Sequence, residues 1–294
     1  MEKQIRTAAL VLALAGCGGS RDTVIVGSKN FTESIILGEI IAQRIESIGL
    51  TVVRRFNLGG TFINHEAITA DQLDVYVEYT GTAHSAVLQL PVEKDPLRVR
   101  DTVAAVYAER WGLKWLAPFG FDNTFAILVR GSVARDLNLR SVSDILPYAA
   151  NWTAGFGHEF LNRADGYRGF IEHYGLEFDS PPVSMDLGLI YRAVAEERID
   201  LTAGNSTDGQ IRALDLYHLH DDLSYFPPYE AAPLVRSELL ARYPQIEAEL
   251  NALGGTLDED AMAQMNFAVD VERRTPRDVA AEFLEQLQPG PAAR

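Results

Sequence analysis

The sequence predicts an α/β fold built as two units, and three observations lead there. Strand-like and helix-like segments alternate from Thr23 to Val77, a second alternation begins at Thr124, and 294 residues exceed what one hydrophobic core typically needs. Each element has a local reason. Thr23-Val-Ile-Val-Gly27 is a short β-branched run closed by glycine, which reads as a buried strand. Ile35 to Ile48 carries apolar residues at helical spacing and stops at Gly49. Thr32 would cap that helix, and Glu33 would sit at its positive end. Thr51 to Phe56 is a second strand, Thr61 to Ala70 a short helix, and Leu73 to Val77 a third strand. That succession makes a parallel sheet wrapped by helices. Asp95 to Arg110 is an amphipathic helix halted by Gly112. Thr124 to Val129 is a strand that opens the second unit, followed by a Trp152 to Phe156 strand, an Asp186 to Glu197 helix and an Asp200 to Ala203 strand. After Pro227-Pro228 the chain is expected back in the first unit, with helices at Asp258 to Ala268 and Pro276 to Leu287. No internal repeat is present, and only the tail from Pro289 is of low complexity.

The first residues point to export. Glu2, Lys3 and Arg6 form a short charged start, Thr7 to Ala15 is apolar, and the run ends in Leu14-Ala15-Gly16-Cys17. The run is too short to span a bilayer and has the three-part layout of a signal peptide. Leu-Ala-Gly-Cys also has the form of a bacterial lipoprotein signal, with residues 1–16 removed and a lipid placed on Cys17. Cys17 is the chain's sole cysteine, so it has no internal disulfide partner, and a capped sulfur suits an oxidising compartment. Residues 17–22 read as a flexible tether. The expected location is extracytoplasmic, on a membrane anchor.

Charge narrows the partners. The chain carries −15; losing Lys3, Arg6 and Glu2 with the signal removes a net +1 and leaves −16. Such a surface disfavours nucleic acid and anionic lipid, and accords with a cationic or zwitterionic small solute. Ligands of open parallel sheets bind beyond the carboxyl ends of the strands. The segments placed there are Gly27-Ser28-Lys29-Asn30, Glu78-Tyr79-Thr80-Gly81-Thr82, Asn123-Thr124-Phe125, Phe156-Gly157-His158-Glu159, Gly204-Asn205-Ser206-Thr207-Asp208 and Pro227-Pro228-Tyr229. They bring a lysine, aromatic rings and hydroxyls. Aromatic faces attract a methylated ammonium, which has no N–H to donate, and Lys or Arg holds a carboxylate.

Here a resemblance becomes specific. Val26-Gly-Ser-Lys-Asn-Phe-Thr-Glu33, Leu58-Gly-Gly-Thr61, Asp74-Val-Tyr-Val-Glu-Tyr-Thr-Gly-Thr82, Ser206-Thr-Asp-Gly209 and Phe226-Pro-Pro-Tyr229 are similar, in order, to segments of the osmoprotectant-binding proteins. These are the glycine betaine, choline and carnitine receptors of ABC importers. The resemblance covers about residue 23 to about 285. It implies the two-lobed type 2 periplasmic binding protein fold with two hinge crossovers, with residues 23–122 and 226–294 as the first lobe and 123–225 as the second. It also implies ligand roles. Lys29 and Thr82 match positions that hold the ligand carboxylate, and Arg163 matches the cationic partner from the second lobe. Tyr79 and Tyr229 match cage tyrosines. Phe125 stands where the family often has Tyr, and Asn205 where many members place another cage aromatic.

Other readings stand beside these. Glu159 and Arg163, four residues apart, also form an ordinary helix-surface pair. Asn205 either leaves a cage wall open or admits a bulkier, more polar betaine such as carnitine or ergothioneine. Gly59-Gly60-Thr61 lacks the Lys of a phosphate loop and reads as a turn into a helix. His218-Leu-His220-Asp221-Asp222 places alternate residues on one face of a strand, but no HExxH, paired CxxC or Gly-x-Ser-x-Gly accompanies it. The expectation is a monomeric binding protein, not an enzyme, without cofactor or metal. Its partners are a quaternary-ammonium solute and an ABC permease, with a sensory receptor of the same fold as the alternative.

Overall fold

The computed structural model describes residues 23–287. The signal segment, Cys17, the tether and the tail from residue 288 lie outside the described residues. The strands are β1 (Thr23–Gly27), β2 (Thr51–Arg55), β3 (Val75–Tyr79), β4 (Leu113–Trp115), β5 (Phe125–Arg130), β6 (Gly155–Gly157), β7 (Val183–Met185), β8 (Leu201–Asn205), β9 (Leu216–Leu219) and β10 (Ala231–Arg236). They make a two-lobed α/β molecule. The first sheet has the order β2-β1-β3-β10-β4, and the second the order β8-β5-β9. The parallel pair β6-β7 joins the second through a bridge between Ala154 and Leu201.

The first sheet is parallel through β2, β1 and β3, as the alternation requires, and β10 then pairs antiparallel with both β3 and β4. In the second sheet β5 runs antiparallel to β8 and to β9. These reversals correct one sequence expectation. Asn123-Thr124-Phe125 runs into the start of β5, and Pro227-Pro228-Tyr229 precedes β10, rather than either following a strand. They still reach the functional edge, because an antiparallel strand presents its amino end where its neighbours present their carboxyl ends. Phe125 pairs with Asn205 at the end of β8, and Ala231 with Tyr79 at the end of β3.

Helix α1 (Thr32–Ser47) explains why the chain returns to the first lobe. Ile36, Leu37, Ile40, Ile41 and Ile45 are wholly buried on it. They are packed between the sheet and the late helices Glu259–Asp270 and Pro276–Leu287. Burying one such side chain contributes about 1.5–3 kcal/mol. Two helix-start expectations change. The helix is preceded by Phe31, without a side-chain cap, and the Thr32 hydroxyl donates instead to Asp270 at 2.5 Å. Glu33 turns its carboxylate to side-chain donors rather than to the helix end. Asp95, Asp186 and Asp258, read as first residues of helices, are the caps just outside them, each accepting backbone N–H bonds. The expected Trp152 to Phe156 strand is shifted to Gly155–Gly157, and Trp152 stacks on Tyr148 with centroids 5.9 Å apart.

Two segments, 116–124 and 220–230, carry the chain between the sheets. They meet at the antiparallel bridge of Asp122 with Glu230. There the Asn123 N–H donates to the Tyr229 carbonyl at 3.2 Å and the Tyr229 N–H to Asp122 Oδ2 at 2.8 Å. Burial pushes the Asp122 carboxyl up to about 6. Among the described residues, no helix is long and apolar enough to cross a membrane.

Candidate functional site

The five sequence segments converge at the edge where the two sheets face each other. Lys29 leaves the end of β1, and its N–H is fixed by Ser34 Oγ at 2.8 Å. Its buried ammonium donates to Glu78 Oε1 at 2.5 Å and to Thr61 Oγ1 at 2.9 Å, and lies 4.9 Å from the centre of the Tyr79 ring. Glu78 is held in turn by the Tyr76 hydroxyl at 3.0 Å and the Tyr79 N–H at 2.8 Å. The ion pair is supported at this depth because both carboxylate oxygens of Glu78 accept hydrogen bonds, Oε1 from Lys29 and the Tyr79 N–H and Oε2 from Tyr76.

Arg163 comes from the second lobe. Its Nε and Nη2 make a fork on Asp165 at 2.8 and 2.6 Å, and its Nη1 donates to Thr82 Oγ1 of the first lobe at 3.1 Å. The guanidinium carbon lies 5.0 Å from the Phe125 ring centre and 5.7 Å from that of Tyr229. The Tyr229 hydroxyl donates to Asp165 Oδ2 at 2.7 Å. Burial alone would raise the Asp165 carboxyl, but the Arg163 charge, its hydrogen bonds and the Tyr229 hydroxyl outweigh that and hold it below the usual carboxylate range. Arg163 is therefore no surface residue: its side chain is 4% exposed, against 41% for Glu159, whose Oε2 stands 3.8 Å from Nη1. Glu159 Oε1 instead accepts the Thr61 N–H at 2.6 Å, the amino end of helix α2 (Thr61–Thr69).

Two glycines make these approaches possible. A Cβ on Gly60 would stand 2.0 Å from Glu159 Oε1, and one on Gly81 would stand 2.4 Å from the Pro228 carbonyl oxygen. The second contact is why the Tyr-Thr-Gly-Thr and Pro-Pro-Tyr segments lie against each other. Thr80 fastens them, receiving the Glu230 N–H on its hydroxyl at 3.1 Å.

Phe125 and Asn205 face each other across β5 and β8. Phe125 packs edge-on to Phe160 and Tyr229, with centroids 4.9 and 5.7 Å apart. The Asn205 amide donates to Asp208 Oδ2 at 3.3 Å. Lys29, Tyr79, Thr82, Phe125, Arg163, Asn205 and Tyr229 thus all line one cleft of about 50 Å³, together with Phe31, Asn123 and Glu159. That volume holds a few waters. Lys29 and Arg163 each keep N–H capacity beyond the bonds just described.

Glu78 and Asp165, the buried partners of the two cations, were not singled out from the sequence. Glu78 lay inside a quoted motif. Asp165 carried no signal at all, being two residues past Arg163 in an irregular stretch. In the His218–Asp222 segment, Asp221 accepts the Tyr174 hydroxyl and the backbone N–H of Tyr225 and Phe226. It shapes the turn into Phe226-Pro-Pro-Tyr229. A wider groove of about 980 Å³ runs between β9 and the late helices, but Ser206 and Asp208 are the only residues of the convergent segments, besides Gly209, that border it.

Comparison with known proteins matches residues 22–286 to the family described as the substrate binding domain of ABC-type glycine betaine transport systems. The chain is 35% identical over 278 residues to the carnitine transport binding protein OpuCC of Listeria monocytogenes, covering 93% of this chain and 90% of that one. It is 31% identical over 268 residues to the ergothioneine transport permease/ergothioneine binding protein EgtU of Helicobacter pylori, covering 90% of this chain and 47% of that one. Among solved structures, a crystal structure of a glycine betaine/carnitine/choline ABC transporter superimposes with a TM-score of 0.75 at 31% identity, over 90% of this chain and 98% of that one.

Proposed function

The chain belongs to the family of substrate-binding domains of ABC-type glycine betaine transport systems, and from that premise we propose that it captures a zwitterionic quaternary-ammonium solute between its lobes and delivers it to an ABC permease. One observation carries the reading. Arg163 of the second lobe meets Thr82 of the first beside three aromatic faces, Tyr79, Phe125 and Tyr229, with Lys29 lining the same cleft. The cations and Thr82 supply donors for a carboxylate, and the rings supply the quadrupole that a methylated ammonium requires. Lobes of residues 23–122 with 226–294, and of 123–225, close on the solute because both sets of contacts exist only when they are together.

Glycine betaine is the reference ligand of this proposal. A bulkier betaine is the second reading, and Asn205 favours it. Its amide puts a polar group where a fourth ring would stand, and the relatives include a carnitine-binding and an ergothioneine-binding protein. The protein works outside the cytoplasm, anchored through lipid on Cys17.

Removing the gene is expected to abolish or strongly reduce uptake of radiolabelled betaine by the native cell. Restoring it as Cys17→Ala should return a form that is released rather than membrane-bound, and intact-mass measurement should find a diacylated Cys17 at the start of the wild-type chain. Unchanged uptake with altered signalling would favour the sensory alternative, and an unmodified thiol would rule out the anchor.

A further inference from the structure

We propose that Glu33 is a positioning residue that latches the second lobe to the first and, through the same carboxylate, fixes the cleft tyrosine Tyr79. The proposal rests on the binding role argued above and assigns that site a device for coupling occupancy to closure.

The geometry is that of a single carboxylate shared across the lobe boundary. Glu33 lies in the first turn of helix α1 in the first lobe and is wholly buried. Its Oε1 accepts the Tyr79 hydroxyl at 2.5 Å and the Asn123 amide at 2.8 Å. Its Oε2 accepts the Thr207 hydroxyl at 2.5 Å and, more weakly, the Asn266 amide at 3.4 Å. These donors come from four places. Tyr79 ends β3 and lines the cleft, Asn123 lies on a crossover, and Asn266 sits on a late helix of the first lobe. Thr207 belongs to the second lobe, on the turn after β8. The Asn266 amide also donates to the Thr207 carbonyl at 2.9 Å, so Thr207 is gripped at both its side chain and its backbone.

Three features separate this from an ordinary core hydrogen-bond cluster. Its hydrogen-bond donors are all neutral: two hydroxyls and two amides. Burial raises the Glu33 carboxyl despite those four bonds. Glu33 therefore gains most when all the donors are in place at once, and one of them arrives only with the second lobe. Its acceptance of the Tyr79 hydroxyl also orients a ring that is packed against Phe31, with centroids 6.1 Å apart, and faces the Lys29 ammonium. Finally, Asn123 accepts the Ser206 hydroxyl at 3.4 Å, so the neighbour of Thr207 is drawn to the same crossover. When the lobes separate, Thr207 leaves and the carboxylate loses a donor. When they close, the carboxylate that aligns Tyr79 is the one that holds the second lobe shut.

The test is a pair of mild variants, Thr207→Val and Tyr79→Phe, with glycine betaine as the probe. Thr207→Val keeps the shape of the side chain and removes the interlobe donor. Tyr79→Phe keeps the aromatic face and removes only the hydroxyl, so a site relying on ring faces alone would not notice it. Each is expected to weaken glycine betaine about ten- to a hundredfold, the range for a lost hydrogen bond to a charged group. For Thr207→Val the loss should fall on the dissociation rate, with the melting temperature of the ligand-free protein unchanged. Glu33→Gln should retain more affinity than Glu33→Ala, because its amide oxygen still accepts two of the four donors. Both mild variants binding within twofold of wild type would overturn the latch. So would a lowered ligand-free melting temperature for Thr207→Val with affinity intact, which describes a structural contact only. If wild-type protein binds no betaine at all, the binding role itself fails and the latch falls with it.

Discussion

Replacing Arg163 with alanine is expected to weaken glycine betaine binding by roughly 2 to 5 kcal/mol, about thirtyfold to several-thousandfold. The substitution removes the cation that reaches Thr82 across the lobe boundary and the flat group that packs against Phe125 and Tyr229. It also strands Asp165, whose side chain is wholly buried and loses both arms of its fork. Affinity and stability should therefore fall together, and Asp165→Asn in the same background separates them. The double variant should recover folding, because no buried charge is left unpaired, while binding stays weak. The pH dependence has a definite sign. In the wild type the depressed native pKa of Asp165 contributes stability that is present above its unfolded value and is lost as pH falls through the native one. In Arg163→Ala burial is unopposed by a cation, so the native pKa rises and acidification from neutral pH should stabilise the variant relative to wild type. Choline, which has a hydroxyl where the betaines have a carboxylate, should be a poorer wild-type ligand and should lose little in Arg163→Ala. Equal binding of choline and betaine, both indifferent to the change, would remove Arg163 from the carboxylate subsite.

Lys29→Met is expected to cost about 3 to 5 kcal/mol of folding stability, the range for breaking a buried ion pair from one side. Lys29 and Glu78 have side chains 4% and 0% exposed, so solvent offers little screening. Methionine fills the space of the lysine stem but leaves the Glu78 carboxylate with only the Tyr76 hydroxyl and the Tyr79 N–H. Chemical unfolding of Lys29→Met, Glu78→Gln and the double variant forms a cycle that isolates the pair. The double variant should be far more stable than Lys29→Met alone and still bind betaine poorly, since Lys29 also faces the cleft. A Lys29→Met protein as stable as wild type would contradict the reading of Lys29 and Glu78 as a stabilising buried pair.

Much of the first lobe was legible because β1, α1, β2 and β3 follow one another with clear β-branched runs and helical spacing. The second lobe was harder. Its strands β6 and β7 have three residues each and pair with neighbours far along the chain, so little local pattern marks them. β10 was hidden because its pairing partners are β3 and β4, more than a hundred residues earlier. Nothing local reports that antiparallel insertion, although Pro227-Pro228 signalled the return. The cleft was readable as a set of segments that hold six of the seven residues, with Arg163 placed by the resemblance four residues past Glu159, and all seven line one space. What stayed hidden were the counter-ions. Glu78 sits in a strand where any buried acid would look misplaced, and Asp165 follows no motif. Glu33 was read as serving the helix end from its sequence position. Its partners, Tyr79, Asn123, Thr207 and Asn266, are assembled by tertiary structure alone.

The most direct test of the account is titration calorimetry of the wild-type protein with glycine betaine and, in parallel, with glycine. The two share a carboxylate and differ by the three methyl groups that the aromatic faces are argued to recognise. Glycine betaine, or a bulkier betaine such as carnitine or ergothioneine, should bind measurably while glycine gives no heat above dilution. Glycine binding as tightly as every quaternary ligand would contradict the account, because the Tyr79, Phe125 and Tyr229 faces would then contribute nothing to recognition.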